Sequence, residues 1–103
     1  MVDVPSCALN AAGLERQRAR YRRVAPAVLR VTRGEQVLSV DFTTSLDRQA
    51  LEELIAVERE CCPFFTFGFD QRGRRLEVGV RGADQAPALD AIATAFSAKP
   101  AAG

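Results

Sequence analysis

Along this chain the spacing of apolar residues switches repeatedly between a helical and a strand-like period. From Ala11 to Val24, Leu14, Tyr21 and Val24 fall on one narrow stripe, Asn10 is placed to cap the helix, and Pro26 ends it. Residues 27–32 then alternate, with Leu29 and Val31 on one side and Val28 and Arg30 on the other. Arg33-Gly34-Glu35 reads as a turn. Residues 37–43 alternate again, with Leu38, Val40 and Phe42 on the apolar side, so the two segments predict a hairpin. The next helix is expected over 46–61, capped by Thr44 or Ser45, with Asp47 completing a capping-box-like pattern. After Pro63, Phe65, Phe67 and Phe69 alternate. A turn at 70–73 leads into 75–81, where Leu76, Val78 and Val80 share a side. A third helix over 84–97 turns Leu89, Ile92, Ala93 and Phe96 inward.

The predicted order is α-ββα-ββα. It defines an α+β class: a four-stranded, mostly antiparallel sheet built from two hairpins, with helices on one face. Residues 1–9, which carry Cys7 and Pro5, read as an extended arm, 10–98 as a single domain, and 99–103 as a frayed tail.

One helical stripe carries residues that a core does not need. In the 46–61 helix, Glu58, Cys61 and Cys62 project onto the face defined by Leu51, Leu54 and Ile55. A carboxylate there is costly unless it finds a partner. Glu58 stands three and four residues before the two thiols, the spacing at which helical side chains meet. Pro63 stops the helix and so leaves the thiols at its C-terminal end.

Composition narrows the chemistry. The 103 residues are 48% apolar and 26% charged, the make-up of one small globular domain. The net charge of +1 gives no global drive toward nucleic acid or membrane. It conceals a segment, Glu15 to Arg33, with seven arginines and one acid, and a remainder that is net acidic. That basic segment lacks interleaved aromatics apart from Tyr21 and matches no nucleic-acid-binding motif, so a solvated face is the better reading. No apolar run reaches the roughly 18 residues of a membrane span, and no apolar stretch with a basic flank of the signal-peptide kind is visible among the N-terminal residues. A cytoplasmic setting with reduced thiols is expected, which three cysteines, an odd number, also suit. Histidine is absent from these residues, which excludes Ser-His-Asp and Cys-His catalysis and any His-containing zinc site within them.

The expected chemistry is capture of a soft metal ion by Cys61 and Cys62, with Cys7 as a candidate third thiolate. Thiolates favour Cu(I), Zn(II), Hg(II) and As(III), and thiols without histidine suit linear or trigonal sites better than tetrahedral zinc. The helix C-terminus, Glu58 and Glu60 all oppose thiolate formation in the absence of metal, so the pair is a poor free nucleophile, whereas a bound cation deprotonates its own ligands. Glu58 is the candidate proton donor or acceptor. Two alternatives remain: a thiol enzyme, acting by protonolysis of an organometal or by redox at the vicinal pair, and a structural or interaction domain, a homodimer, in which the cysteines simply pack.

The segment Glu58-x-x-Cys61-Cys62-Pro63-Phe64, together with Cys7-Ala8-Leu9, resembles a group of small bacterial proteins with a Glu-x-x-Cys-Cys-Pro-Phe motif. Members of that group occur near, or fused to, mercury-responsive regulators of the MerR type. The resemblance runs from about Cys7 to Phe96. It implies a heavy-metal role and treats the three cysteines as one set. Organomercurial lyases, different in sequence, also combine two cysteines with an acid that delivers a proton to carbon. The likeness there is of constellation only.

Overall fold

The computed structural model describes residues 10–97. The arm over 1–9, with Cys7, and the tail over 99–103 lie outside the described residues. The elements are α1 (Ala11–Val24), a short 3-10 turn (Ala25–Ala27), β1 (Val28–Arg33), β2 (Val37–Phe42), α2 (Arg48–Cys61), β3 (Phe65–Asp70), β4 (Arg75–Val80), a second 3-10 turn (Ala83–Gln85) and α3 (Pro87–Ser97). This is the α-ββα-ββα order expected from the pattern.

The two hairpins join through their second strands, giving an antiparallel sheet in the order β1-β2-β4-β3. One sheet face is apolar: Leu38, Val40, Phe42, Leu76 and Val78 are almost fully buried beneath the helices. The opposite face carries Thr32, Ser39, Asp41, Glu77, Thr66 and Gly68, as a one-sided antiparallel sheet should.

Two local expectations are corrected. Helix α2 starts at Arg48 and its N-cap is Asp47, whose side chain accepts from the Ala50 N–H at 3.0 Å. Thr43 and Ser45 instead bond to each other through their hydroxyls, and Thr44 is exposed, so neither Thr44 nor Ser45 caps the helix. Strand β1 does not alternate cleanly either. The register shifts between Val28 and Arg30, and Leu29 is left 66% exposed while Val31 still faces the core opposite Val40. A bulge puts two residues against one and resets the period.

Helix α1 packs on α2 and α3. The contacts Gln17 to Glu58, Arg20 to Glu53 and Arg23 to Asp47 run in opposite senses along the two helices, so α1 and α2 are antiparallel. Aromatic rings tie the layers together: Tyr21 of α1 lies 5.1 Å from Phe96 of α3, Phe96 lies 6.0 Å from Phe42 of β2, and Phe42 lies 6.4 Å from Phe69 of β3.

Candidate functional site

The site is assembled at the α1–α2 interface, near the end of α2. Glu58 occupies the expected place in the apolar stripe of α2, after Leu51, Leu54 and Ile55, and is wholly buried. Its Oε2 accepts from the Tyr21 hydroxyl at 2.9 Å and from the Gln17 amide nitrogen at 3.2 Å. Both donors come from α1, and both residues are buried. The pairing answers the sequence-level objection to a carboxylate in this position, because a buried charge is tolerated when hydrogen bonds replace its water.

The amide of Gln17 is oriented from both ends. Its nitrogen also donates to the Leu54 carbonyl at 3.0 Å, and its oxygen accepts from Arg20 at 2.9 Å. Arg20 in turn lies 3.6 Å from Glu53 at the surface. A chain of polar contacts therefore runs Glu53–Arg20–Gln17–Glu58–Tyr21, from solvent into the core. Burial, then the charge of Glu58 and its hydrogen bond, then Cys62, push the Tyr21 hydroxyl well above the usual phenol pKa.

The two cysteines are treated differently by the backbone. Cys61 is the last helical residue and is half-buried, whereas Cys62 is the C-cap, 1% exposed, at φ −133° and ψ 79°. Its N–H still donates to the Glu58 carbonyl at 2.8 Å, and its own carbonyl accepts from the Phe65 N–H at 3.1 Å. Pro63 explains the exit, since the residue before a proline is driven out of the helical region. The step of about 100° between adjacent side chains of a regular helix therefore does not apply from Cys61 to Cys62. Phe64 is half-buried after this exit and packs on Phe65, with ring centroids 4.7 Å apart.

The structure thus gathers Glu58, Cys61 and Cys62 at one end of α2. Cys7 lies outside the described residues. Among the described residues, no group of three or more His, Cys, Asp or Glu side chains is arranged to hold a metal ion. Sequence reasoning missed Gln17 as a site residue and read Tyr21 only as apolar. The signal was available for Gln17: it lies between Leu14 and Tyr21 at helical spacing, a polar residue in the apolar stripe of α1, just as Glu58 is in α2.

Fold and site together define a small α+β domain in which a buried carboxylate, clamped between two helices, stands one turn before a Cys-Cys-Pro exit. No family model, curated protein or solved structure matches the chain.

Proposed function

We propose that the protein captures a soft, thiophilic metal ion, Hg(II) before Zn(II), Cu(I) or As(III), at the end of α2 in a reducing, cytoplasmic setting. Cys61 and Cys62 supply two thiolates and Cys7 the third. The supporting observation is the antiparallel pairing of α1 with α2. It brings the start of α1, at Asn10, to the same end of the helix pair as Cys61 and Cys62. Cys7 precedes Asn10 by three residues, a reach of roughly 10 Å along an extended chain.

In this reading Glu58 serves the thiols from one turn back. Metal capture releases the thiol protons, and a carboxylate beside the ligands is suited to take one up or to orient a ligand. Tyr21 and Gln17 hold that carboxylate in a single place, so its position survives when the metal leaves. The choice of mercury rests on the motif's resemblance to proteins found near mercury-responsive regulators and on the absence of histidine, which favours linear or trigonal thiolate coordination.

The test is native mass spectrometry of the reduced full chain with each of the four ions, in competition with excess glutathione. One Hg(II) retained per chain is expected, with loss of retention in Cys61→Ser/Cys62→Ser and weakened retention in Cys7→Ser. If the wild-type chain holds none of the ions, the proposal is wrong and the cysteines are core residues.

A further inference from the structure

The helices pack on one side of the sheet, and among the described residues the other side is uncovered. Its charges are ordered. Arg30 stands in register with Asp41, Asp41 with Arg75, and Arg75 with Asp70. One row of alternating sign therefore crosses all four strands, in the spatial order β1-β2-β4-β3. The inner two members, Asp41 and Arg75, are joined by an ion pair at 2.7 Å. The outer two are not. Among the described residues neither Arg30 nor Asp70 has an ion-pair partner, and Asp70 accepts from the Arg72 N–H of its own turn at 3.1 Å.

Bulk on this face follows the same plan. Val37 of β2 is 41% exposed, although it is large and apolar, and it stands in register with Gly79 of β4. Gly68 of β3 is exposed, and a Cβ there would meet nothing within 4 Å. Neither glycine has a left-handed φ. Nothing among the described residues therefore requires glycine at position 68. A glycine inside a strand marks a place where another backbone approaches closely. A shallow depression of about 500 Å3 lies over Gly68, bordered by Asp70, Arg75 and Glu77.

Charge selects the occupant. The face sets Arg30 and Arg75 against Asp41, Asp70 and Glu77 and carries no aromatic ring, so it is neither the basic surface nor the stacking platform of a nucleic-acid site. Its alternating signs favour neither an acidic nor a basic partner. They do match a second copy. A two-fold axis along the strands, between β2 and β4, reverses the strand order and keeps each row. It lays β1 over β3 of the second copy and β2 over its β4. Arg30 then meets Asp70 of the second copy, and the Asp41–Arg75 pair lies over the same pair reversed. Val37 lies over Gly79, and Thr32 over Gly68. Stacked sheets are about 10 Å apart, a gap that an arginine and an aspartate span together, and a rotation of about 30° between aligned sheets stays within an arginine's reach.

We propose that this face docks a second copy of the chain two-fold, sheet against sheet, with Arg30 of each copy on Asp70 of the other and Val37 of each on Gly79 of the other. Four strands of six residues make a face of roughly 20 by 19 Å. The two copies together bury on the order of 1,000 Å2, the size of a small, reversible interface. The outer charges set partner and register, while the burial of Val37 and the close approach at Gly68 and Gly79 supply contact. The pairing is independent of the thiols and of metal capture.

The experiment is sedimentation equilibrium of the reduced full-length protein from micromolar to millimolar concentration. A monomer–dimer equilibrium is expected, weakening as salt rises. Arg30→Glu and Asp70→Lys, both at exposed positions, should each weaken dimerisation about tenfold or more, because each sets like charges together twice in its own dimer. An equimolar mixture of the two variants should associate about as tightly as the wild type, since the two reversals then face each other. Val37→Asp should remove the dimer and leave the circular dichroism of the monomer unchanged. Cys61→Ser/Cys62→Ser should leave dimerisation as it is, so loss of metal capture and loss of pairing are read separately. A wild-type chain that stays monomeric throughout would overturn the proposal. So would a dimer indifferent to both reversals, or a mixture that associates no better than its components.

Discussion

At the scale of single residues, Glu58, Tyr21 and Gln17 form a buried, hydrogen-bonded polar group. Oε2 of Glu58 has two donors, and each donor sits on a helix that reaches α2 only through tertiary packing. Tyr21→Phe removes one donor from a buried carboxylate and should cost about 1–3 kcal/mol of stability in urea unfolding. Glu58→Gln in the same background should recover part of that loss. A double-mutant cycle of Tyr21→Phe with Glu58→Gln should therefore give a coupling energy of about 0.5–3 kcal/mol, and additivity would mean that the bond contributes nothing.

Tyr21 also carries a pH signature. Its folded-state pKa is raised, so its contribution to stability is complete below the unfolded phenol value near 10 and is lost as pH rises from there through the folded value. It is the only tyrosine and there is no tryptophan, so ultraviolet absorbance reads it alone. Phenolate absorbance should stay absent in the folded protein above pH 10 and appear together with unfolding. Titration near pH 10 with the fold intact would contradict the burial and its consequence.

The elements show how local chemistry and packing divide the work. Asp47 caps α2 directly, so Asp47→Ala should cost about 0.5–2 kcal/mol, whereas Thr44→Ala, at an exposed site with no capping bond, should stay within about 0.5 kcal/mol. Thermal unfolding of the two variants separates them. The capping-box spacing of Thr44 and Asp47 suggested the wrong member of the pair because Asp is itself a strong N-cap, and the apolar pattern does not distinguish a start at 46 from one at 48. Arg18 and Arg22 approach Glu15, Arg20 approaches Glu53, and Arg23 approaches Asp47, so much of the basic segment is matched within the molecule. These half-exposed and exposed pairs each contribute little to stability, and only two of them, Arg20 with Glu53 and Arg23 with Asp47, cross from α1 and bear on its register on α2.

For the molecule as a whole, the ring path from Tyr21 through Phe96 and Phe42 to Phe69 joins two helices, α1 and α3, to two strands of the sheet within one core. Phe96 is 1% exposed at the centre of that path, and Phe96→Ala should cost about 3–5 kcal/mol. In a domain whose total stability is of order 5–15 kcal/mol, that is a large share. Tyrosine fluorescence, which reports on α1, and far-ultraviolet circular dichroism, which reports on every element, should still unfold together in urea. Separate midpoints would show that α1 and the sheet are distinct cooperative units.

The amino-acid pattern carries the elements, their order and the apolar faces, because helix and strand periods are local properties of side-chain direction. It also marked Glu58, Cys61 and Cys62, since polar residues in an apolar stripe and a proline stop are visible without a fold. It misread Leu29, because a bulge depends on the neighbouring strand, and it placed the α2 cap two or three residues early. The partners of Glu58 come from packing alone. Tyr21 and Gln17 are 37 and 41 residues away from it, and an antiparallel pairing of two helices is a choice made by packing. The same choice brings the start of α1 to the end of α2 that carries the cysteines. The place of β3 at the edge of the sheet was likewise decided by the joining of the two hairpins through β2 and β4, which no local pattern specifies.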